Sequence, residues 1–303
     1  MRRISIGSWA YTIGPYESNP VGFDEVCERL QGYGFDGVEL GAFGPHPNPD
    51  TFGSREQRAA LRQKVADHGM AFSGLAADLW GEQLINTEDA APYVANFTKH
   101  CDFAVDLGIG GVRIDCVQPP TIFEEVDYDT ALGRVVDTWQ TCCDVAAERG
   151  LYVTWEFEPG FAFNRPSDVV RVHDGVGRSN FGLMYDTSHG QMVAVVGARH
   201  PGEPEILPGG QRELVSMLSG RINHIHLIDS DNTCHKDENG EDETSMHVPF
   251  GSGVVDFDSI VPALAAESLS HDWWTIDLCF WPNAWEATET CKAAIDDLNR
   301  RFG

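Results

Sequence analysis

The sequence predicts a (β/α)8 barrel, and three observations predict it. Short apolar runs alternate with amphipathic stretches along all 303 residues, the pattern of parallel strands with helices outside. The strand–helix units number eight, with no linker-like stretch between them, which fits the length of one barrel. The three irregular insertions, 81–89, 199–210 and 232–253, each follow a strand. In a barrel they would stand over the C-terminal mouth, where barrels carry their sites. One domain spanning 1–303 is therefore expected. A doubly wound open sheet is the alternative; the first strand is not followed by G-x-G-x-x-G, which argues against its dinucleotide-binding version.

The strands are expected at 4–11, 37–43, 71–80, 111–117, 152–159, 181–189, 222–229 and 273–281, where β-branched and aromatic residues concentrate. The stretches "GFDEVCERLQGYG", "REQRAALRQKVADHG", "APYVANFTKHCDFAVDLG" and "YDTALGRVVDTWQTCCDVAAERG" carry helical periodicity in the first half. The stretches "RPSDVVRVHDGV", "GGQRELVSMLSG", "DFDSIVPALAAESL" and "AWEATETCKAAIDDLNRRFG" carry it in the second. Several end at glycine, which accepts the left-handed conformation of a helix C-terminus, and two begin near a capping Asp or Ser.

The apolar content of 42% suits a packed core. No run reaches the roughly 18 apolar residues of a membrane span, and "MRRISIGSWAYTIG" lacks the apolar centre of a signal peptide, so a cytoplasmic location without membrane association is expected. The net charge of −26, with only four lysines, repels phosphate backbones and anionic lipid and argues against a nucleic-acid partner. The eight cysteines show no CxxC spacing and are expected as small buried apolar residues, Cys116 and Cys279 within strands.

Charges at the ends of apolar strands need a reason. "WEFEPG" places Glu156 and Glu158 on one face of the fifth strand, and "HIHLID" does the same for His224 and His226 on the seventh. "FGLMYDTSHG" ends the sixth strand on Asp186 with His189 three residues on, and Asp277 lies in the eighth. Carboxylates converging on a barrel mouth repel one another unless a cation sits between them. Glu156, Asp186, His226 and Asp277 therefore read as ligands of one divalent ion, manganese in the first place, with magnesium, cobalt or zinc suited to the same donors. No nicotinamide or flavin is expected. The simpler reading of a strand-end Asp is a helix N-cap; four such residues on consecutive strands favour metal. Rim aromatics, Trp9, Tyr11, Phe43, Trp80, Trp155, Phe280, Trp281 and Trp285, are packing or a stacking platform for a flat group.

The segments "ISIGSWAY", "GFDGVELG", "WEFEPG", "YDTSH", "INHIHLIDSD" and "GSGVVDFDSI" resemble the xylose-isomerase-like barrel superfamily of sugar isomerases and epimerases, inosose dehydratases and endonuclease IV-type AP endonucleases. The resemblance runs through nearly the whole chain. It matches Glu156, Asp186 and His226 to metal ligands, and Asp277 to a position where the superfamily usually has glutamate. It gives proton transfer beside a carbonyl as the shared chemistry. His189 matches a residue that touches substrate and is the first candidate base; His247 and Glu158 follow. His224, Trp9, Trp80 and Trp281 are candidate substrate contacts, with His224 also able to brace His226. The arginine of ketose epimerases is replaced by Asn232, and "GFAFNRP" offers no second catalytic glutamate.

Within that superfamily, "HIHLIDSDN", "HVPFGSGVVDFD" and "WWTIDLCFWPNAW" resemble the catalytic subunit of bacterial C-glycoside deglycosidases. That resemblance implies elimination from a 3-oxo-C-glycoside and a small β-rich second subunit in a hetero-oligomer. The alternatives are a keto-sugar isomerase or epimerase, an inosose dehydratase, and a barrel that binds sugar without catalysis.

Overall fold

The structure, a computed structural model, describes residues 1–236 and 239–303. Parallel strands β1 (Arg3–Ile6), β2 (Gly37–Gly41), β3 (Ala71–Ala76), β4 (Gly111–Ile114), β5 (Tyr152–Glu156), β6 (Phe181–Asp186) and β7 (Ile222–Leu227) form one sheet with β10 (Trp273–Ile276). Its order is β1-β10-β7-β6-β5-β4-β3-β2. A parallel bridge between Gly7 and Glu39 joins β1 to β2 and completes the circle. Ile4 N also donates to Asp36 Oδ2 at 2.8 Å there. The barrel expected from the alternating pattern is the one observed, with helices packed outside its strands.

Each helix answers to its residues. Helix α1 (Phe23–Gly32) buries Phe23, Val26, Cys27 and Leu30 at helical spacing. Helix α2 (Arg55–Asp67) begins with a capping box, Ser54 and Gln57 exchanging side-chain-to-backbone bonds. Helix α3 (Ala91–Leu107) stops at Gly108, φ 75°. Helix α4 (Tyr128–Ala147) is capped by Asp127, and α5 (Pro166–Val176) carries proline in its first turn, where no amide hydrogen is needed. Helices α7 (Gly210–Leu218), α8 (Phe257–Ala265) and α9 (Ala284–Phe302) complete the set. Among the described residues no helix is long and apolar enough to cross a membrane.

The strand alternation separates two chemistries. Ile4, Ile6, Val38, Leu40, Val153, Trp155, Ile225, Trp274 and Ile276 belong to the apolar core. The residues between them, Ser5, Glu39, Thr154, Glu156, His224, His226 and Thr275, are buried polar groups. Ser5 and Thr275, paired on the neighbouring strands β1 and β10, bond at 2.9 Å, and Thr275 reaches Glu39 on β2 at 3.0 Å. The lumen, which barrels usually fill with branched apolar side chains, is here largely polar.

The strands are shorter at their C-terminal ends than the apolar runs suggested. Residues 8–11 form a 3-10 turn. Asp186 ends β6 and caps a one-turn helix α6 (Thr187–Gln191), followed by a π-helical segment, Met192–Gly197. The cause is chemical: residues that serve the mouth leave the ladder to reach it. The insertion after β7 forms an antiparallel hairpin of β8 (Cys234–Lys236) and β9 (Asp242–Ser245). Asp229 holds the next loop, accepting from Gly251, Gly253 and Val255 amides at 3.0 Å each.

Candidate metal centre and cavity

Register brings the charged residues level. Asp186 on β6 stands opposite His226 on β7, His226 opposite Thr275 on β10, and Asp277 follows two residues later. One ligand atom from each of Glu156, Asp186, His226 and Asp277 lies within 4.8 Å of the others, all buried. His226 Nδ1 is 3.1 Å from both Glu156 Oε1 and Asp277 Oδ2.

The two aspartates each spend one oxygen on the fold. Asp186 Oδ1 accepts from the Ser188 and His189 amides, both at 2.8 Å, so the N-cap role is real. Its Oδ2 is buried with no hydrogen-bond partner, an arrangement that leaves a ligand oxygen free for a cation, since a buried acceptor without a partner costs about 1–3 kcal/mol. Asp277 Oδ1 accepts from Trp9 Nε1 at 2.6 Å and from the Cys279 thiol at 3.3 Å, leaving Oδ2 toward His226.

Electrostatics point the same way. Burial, with Asp277 and Glu156 as neighbours, pushes Asp186 up to about 7 despite the opposing pull of His247. Burial also pushes Glu158 well above the carboxylate range. Glu156 is drawn down, burial being outweighed by Arg113 and His226. Three buried carboxylates and an imidazole with a spare oxygen fit a hard or borderline divalent cation.

A cavity of about 310 Å³ opens beside these groups, lined by Trp9, Phe43, Trp80, Arg113, Asp115, Glu156, Glu158, Phe161, His189, Thr244, His247, Asp277, Cys279 and Phe280 among others. His189 Nδ1 contacts Ser245 Oγ at 2.9 Å, and its Nε2 lies 3.9 Å from Glu158 Oε2. Burial, then His247, lowers His189 to about 3, so it stands neutral with a lone pair to offer. His247 is buried with both ring nitrogens unpartnered, 3.7 Å from Asp186 Oδ1 and 3.6 Å from Asp277 Oδ1. Burial would lower it, but Asp277 and Asp186 raise it to about 9, which suits donation rather than acceptance. The β8–β9 hairpin roofs this region: Thr244 donates to Glu158 Oε2 at 2.5 Å, and a Cβ on Gly160 would meet Glu243 O at 2.2 Å, so only glycine lets the hairpin settle there.

Some sequence expectations are corrected. His224 does not line the cavity; it bonds Glu39 Oε2 at 2.8 Å beneath His226, because the residue two before a mouth-level ligand lies one layer down the strand. Trp281 is not on the cavity wall and packs partly buried against the core. Of the other rim aromatics, Tyr11 and Trp155 are fully buried, and Trp285 stacks on Tyr11 with centroids 4.0 Å apart. Cys279 lies past the end of β10, partly exposed and on the cavity wall.

Two residues were missed. Arg113 is buried and pairs with Asp115 at 2.9 Å, Glu156 at 2.5 Å and Glu158 at 3.1 Å. Glu39 bonds His226 Nε2 at 3.2 Å. The signal for both was alternation: each charge sits between two apolar residues within a strand, "VEL" and "VRI".

Comparison with known proteins agrees with the fold. The family model described as xylose isomerase-like TIM barrel matches residues 27–293. The inosose dehydratase of Geobacillus thermodenitrificans (strain NG80-2) is 20% identical over 290 residues, covering 89% of this chain and 86% of its own. The crystal structure of the IOLI protein with a binding zinc atom superposes with a TM-score of 0.73 at 19% identity, covering 100% of this chain and 99% of that one. The probable 3-DHS dehydratase AsbF from Bacillus anthracis gives 0.72 at 14% identity, covering 97% and 98%.

Proposed function

The chain belongs to the xylose isomerase-like TIM barrel family, and within it we propose a divalent-metal-dependent enzyme that removes the proton beside a ketone of a sugar or cyclic polyol. The observation that carries this is the convergence of Glu156, Asp186, His226 and Asp277, with Asp186 Oδ2 unpartnered, beside a cavity that also holds His189 and Glu158. A cation held by those four residues, manganese by preference, would polarise the carbonyl oxygen and stabilise the charge that develops on it.

The remaining steps fall to side chains. Neutral His189 takes the proton through Nε2, oriented by Ser245 at Nδ1. The electron pair of the broken C–H bond moves toward the carbonyl, then returns to expel the group on the far carbon. Glu158, which burial keeps protonated and Thr244 and Arg113 hold in place, gives its proton to that leaving group. If nothing leaves, return of a proton to the opposite face gives epimerisation.

Loss of water from a cyclic keto-polyol, or epimerisation beside its ketone, is the reading that the similarity to an inosose dehydratase supports. The second reading is expulsion of an aryl group from a 3-oxo-C-glycoside, with a small partner subunit. The rim favours it: Phe43 and Trp80 stack with centroids 5.9 Å apart, and Trp80 is 56% exposed. The deciding experiment incubates manganese-loaded protein in D2O with an inosose, and separately with a 3-oxo-C-glucosyl flavonoid, with and without a candidate small subunit. Deuterium entry beside the ketone establishes proton abstraction; enone formation or free aglycone assigns the leaving group. A metal-loaded protein that neither exchanges such a proton nor forms enone or free aglycone on any ketone tested sinks the proposal.

A further inference from the structure

We propose that Glu39, on the opposite side of the barrel from the four ligands, is the positioning residue of the metal centre: it orients His226 from behind through a hydrogen-bonded chain inside the lumen. The inference rests on the metal reading above. Glu39 Oε1 is 3.2 Å from His226 Nε2 and Glu39 Oε2 is 2.8 Å from His224 Nε2. All three residues are essentially inaccessible to solvent. A carboxylate only accepts hydrogen bonds, so both Nε2 atoms donate to it. His226 Nδ1 faces two more carboxylates, Glu156 and Asp277, at 3.1 Å each, so it donates there too. With a cation among those carboxylates it is Nδ1 that would give up its hydrogen and ligate, while the Glu39 bond keeps the other hydrogen on Nε2. The glutamate thereby selects which nitrogen meets the cation and adds basicity to it.

The carboxylate is itself built in. Thr275 Oγ1 donates to Oε2 at 3.0 Å, and Ser5 backs Thr275. Gly74 on β3 supplies the space: a Cβ there would lie 3.0 Å from Glu39 Cδ and 3.2 Å from Oε1. The chain continues away from the mouth, His224 Nδ1 lying 3.1 Å from His271 Nε2 and 3.3 Å from the Tyr152 hydroxyl. His271 Nε2 is also 3.1 Å from the Asn223 carbonyl oxygen. His226 is thus anchored through three layers of side chains. A buried glutamate facing two imidazoles, with a glycine cut out beside it, has no packing purpose that leucine would not serve better.

The test measures Zn2+ affinity of the full chain by calorimetry, alongside the 1H–15N signals of histidine-labelled protein. Wild type is expected to bind Zn2+ and to show a strongly downfield His226 Nε2–H. In Glu39→Gln that signal moves upfield and Zn2+ affinity falls roughly 10- to 100-fold, the range for outer partners of metal-bound histidine, while the thermal transition persists. Glu39→Asp should recover part of the affinity. Should Glu39→Gln fail to fold, Thr275→Val and Gly74→Ala perturb the carboxylate without removing it and should weaken Zn2+ binding several-fold. Wild-type affinity in a folded Glu39→Gln, with His226 Nε2–H unmoved, overturns the proposal while leaving the metal centre intact. Absence of metal uptake by wild type, matched by Asp186→Asn, instead removes the metal reading and the positioning role together.

Discussion

The two halves of the barrel divide the work. Strands β5, β6, β7 and β10 deliver Glu156, Asp186, His226 and Asp277 to one point. Strands β1 to β4 and the turns after them deliver no member of that set. They supply Trp9 on Asp277, Glu39 on His226, Arg113 on Glu156, and the apolar rim of Phe43 and Trp80. One half holds the candidate ligands; the other holds those ligands still and shapes what approaches them. A buried carboxylate set is stable only when every oxygen has a partner or a cation, so the second half is what makes the first affordable.

The comparison breaks most sharply at Asp186. Asp186→Asn keeps an N-cap oxygen for α6 but replaces the free carboxylate oxygen by an amide or leaves it uncharged. Metal content should fall to background and turnover should drop by more than the roughly 100-fold typical of outer partners. Metal analysis of purified wild type and variant checks it; equal content would show that the ligand half does not bind metal. His189→Gln is next. It should retain metal and thermal transition but lose roughly 10²- to 10⁴-fold in kcat, the scale of a removed general base. Unchanged turnover would move the proton transfer to His247 or Glu158.

The halves also differed in how openly the sequence displayed them. Asp186 ends an apolar run, Asp277 interrupts one, and Glu156 and His226 come in same-face pairs with Glu158 and His224, so each stands out by contrast. The fold was legible for the same reason, since alternating runs show the eight units directly. Glu39 and Arg113 lie within strands, and their partners are distant: Glu39 and His226 are 187 positions apart. No local pattern says that such a charge will meet a histidine. Strand ends were overrun because aromatic residues such as Trp9 and Phe280 look like strand but serve the cavity wall; Phe280 even takes a positive φ of 55°. The roof was invisible too, because "DETS" is a polar stretch whose strand character comes from pairing with Cys234–Lys236.

Arg113 sharpens the comparison on the side of the braces. Its guanidinium is buried between Asp115, Glu156 and Glu158. Arg113→Met fills similar volume but leaves the ionised Glu156 without its buried counter-charge, and breaking such a buried pair costs about 3–5 kcal/mol. Urea unfolding of the metal-free proteins should show that loss, and saturating metal should recover part of it by relieving Glu156. A loss under about 1 kcal/mol, the scale of a surface pair, would mean that Arg113 is not the counter-charge of the ligand half.

The smallest effect belongs to Trp80, and it tests whether the brace half also reads the substrate. The ring is already 56% exposed and touches Phe43 on one face. Trp80→Ala gives up that stacking and the indole's hydrogen bond to the buried Asp115, so it should cost about 1–2 kcal/mol of unfolding free energy. If the exposed face stacks on a flat aryl group, losing it removes about 0.5–1.5 kcal/mol of binding, a rise of roughly 2- to 12-fold in KM for an aryl-bearing ketone. A compact polyol ketone reaches the candidate ligands from inside the cavity and leaves the rim untouched, so its KM should not move. Trp80 carries no proton for the transfer, so kcat should change far less than KM for both substrates. Equal KM shifts for the two would show that the rim admits substrate without discriminating, and no shift for either would assign the aromatic pair to packing alone.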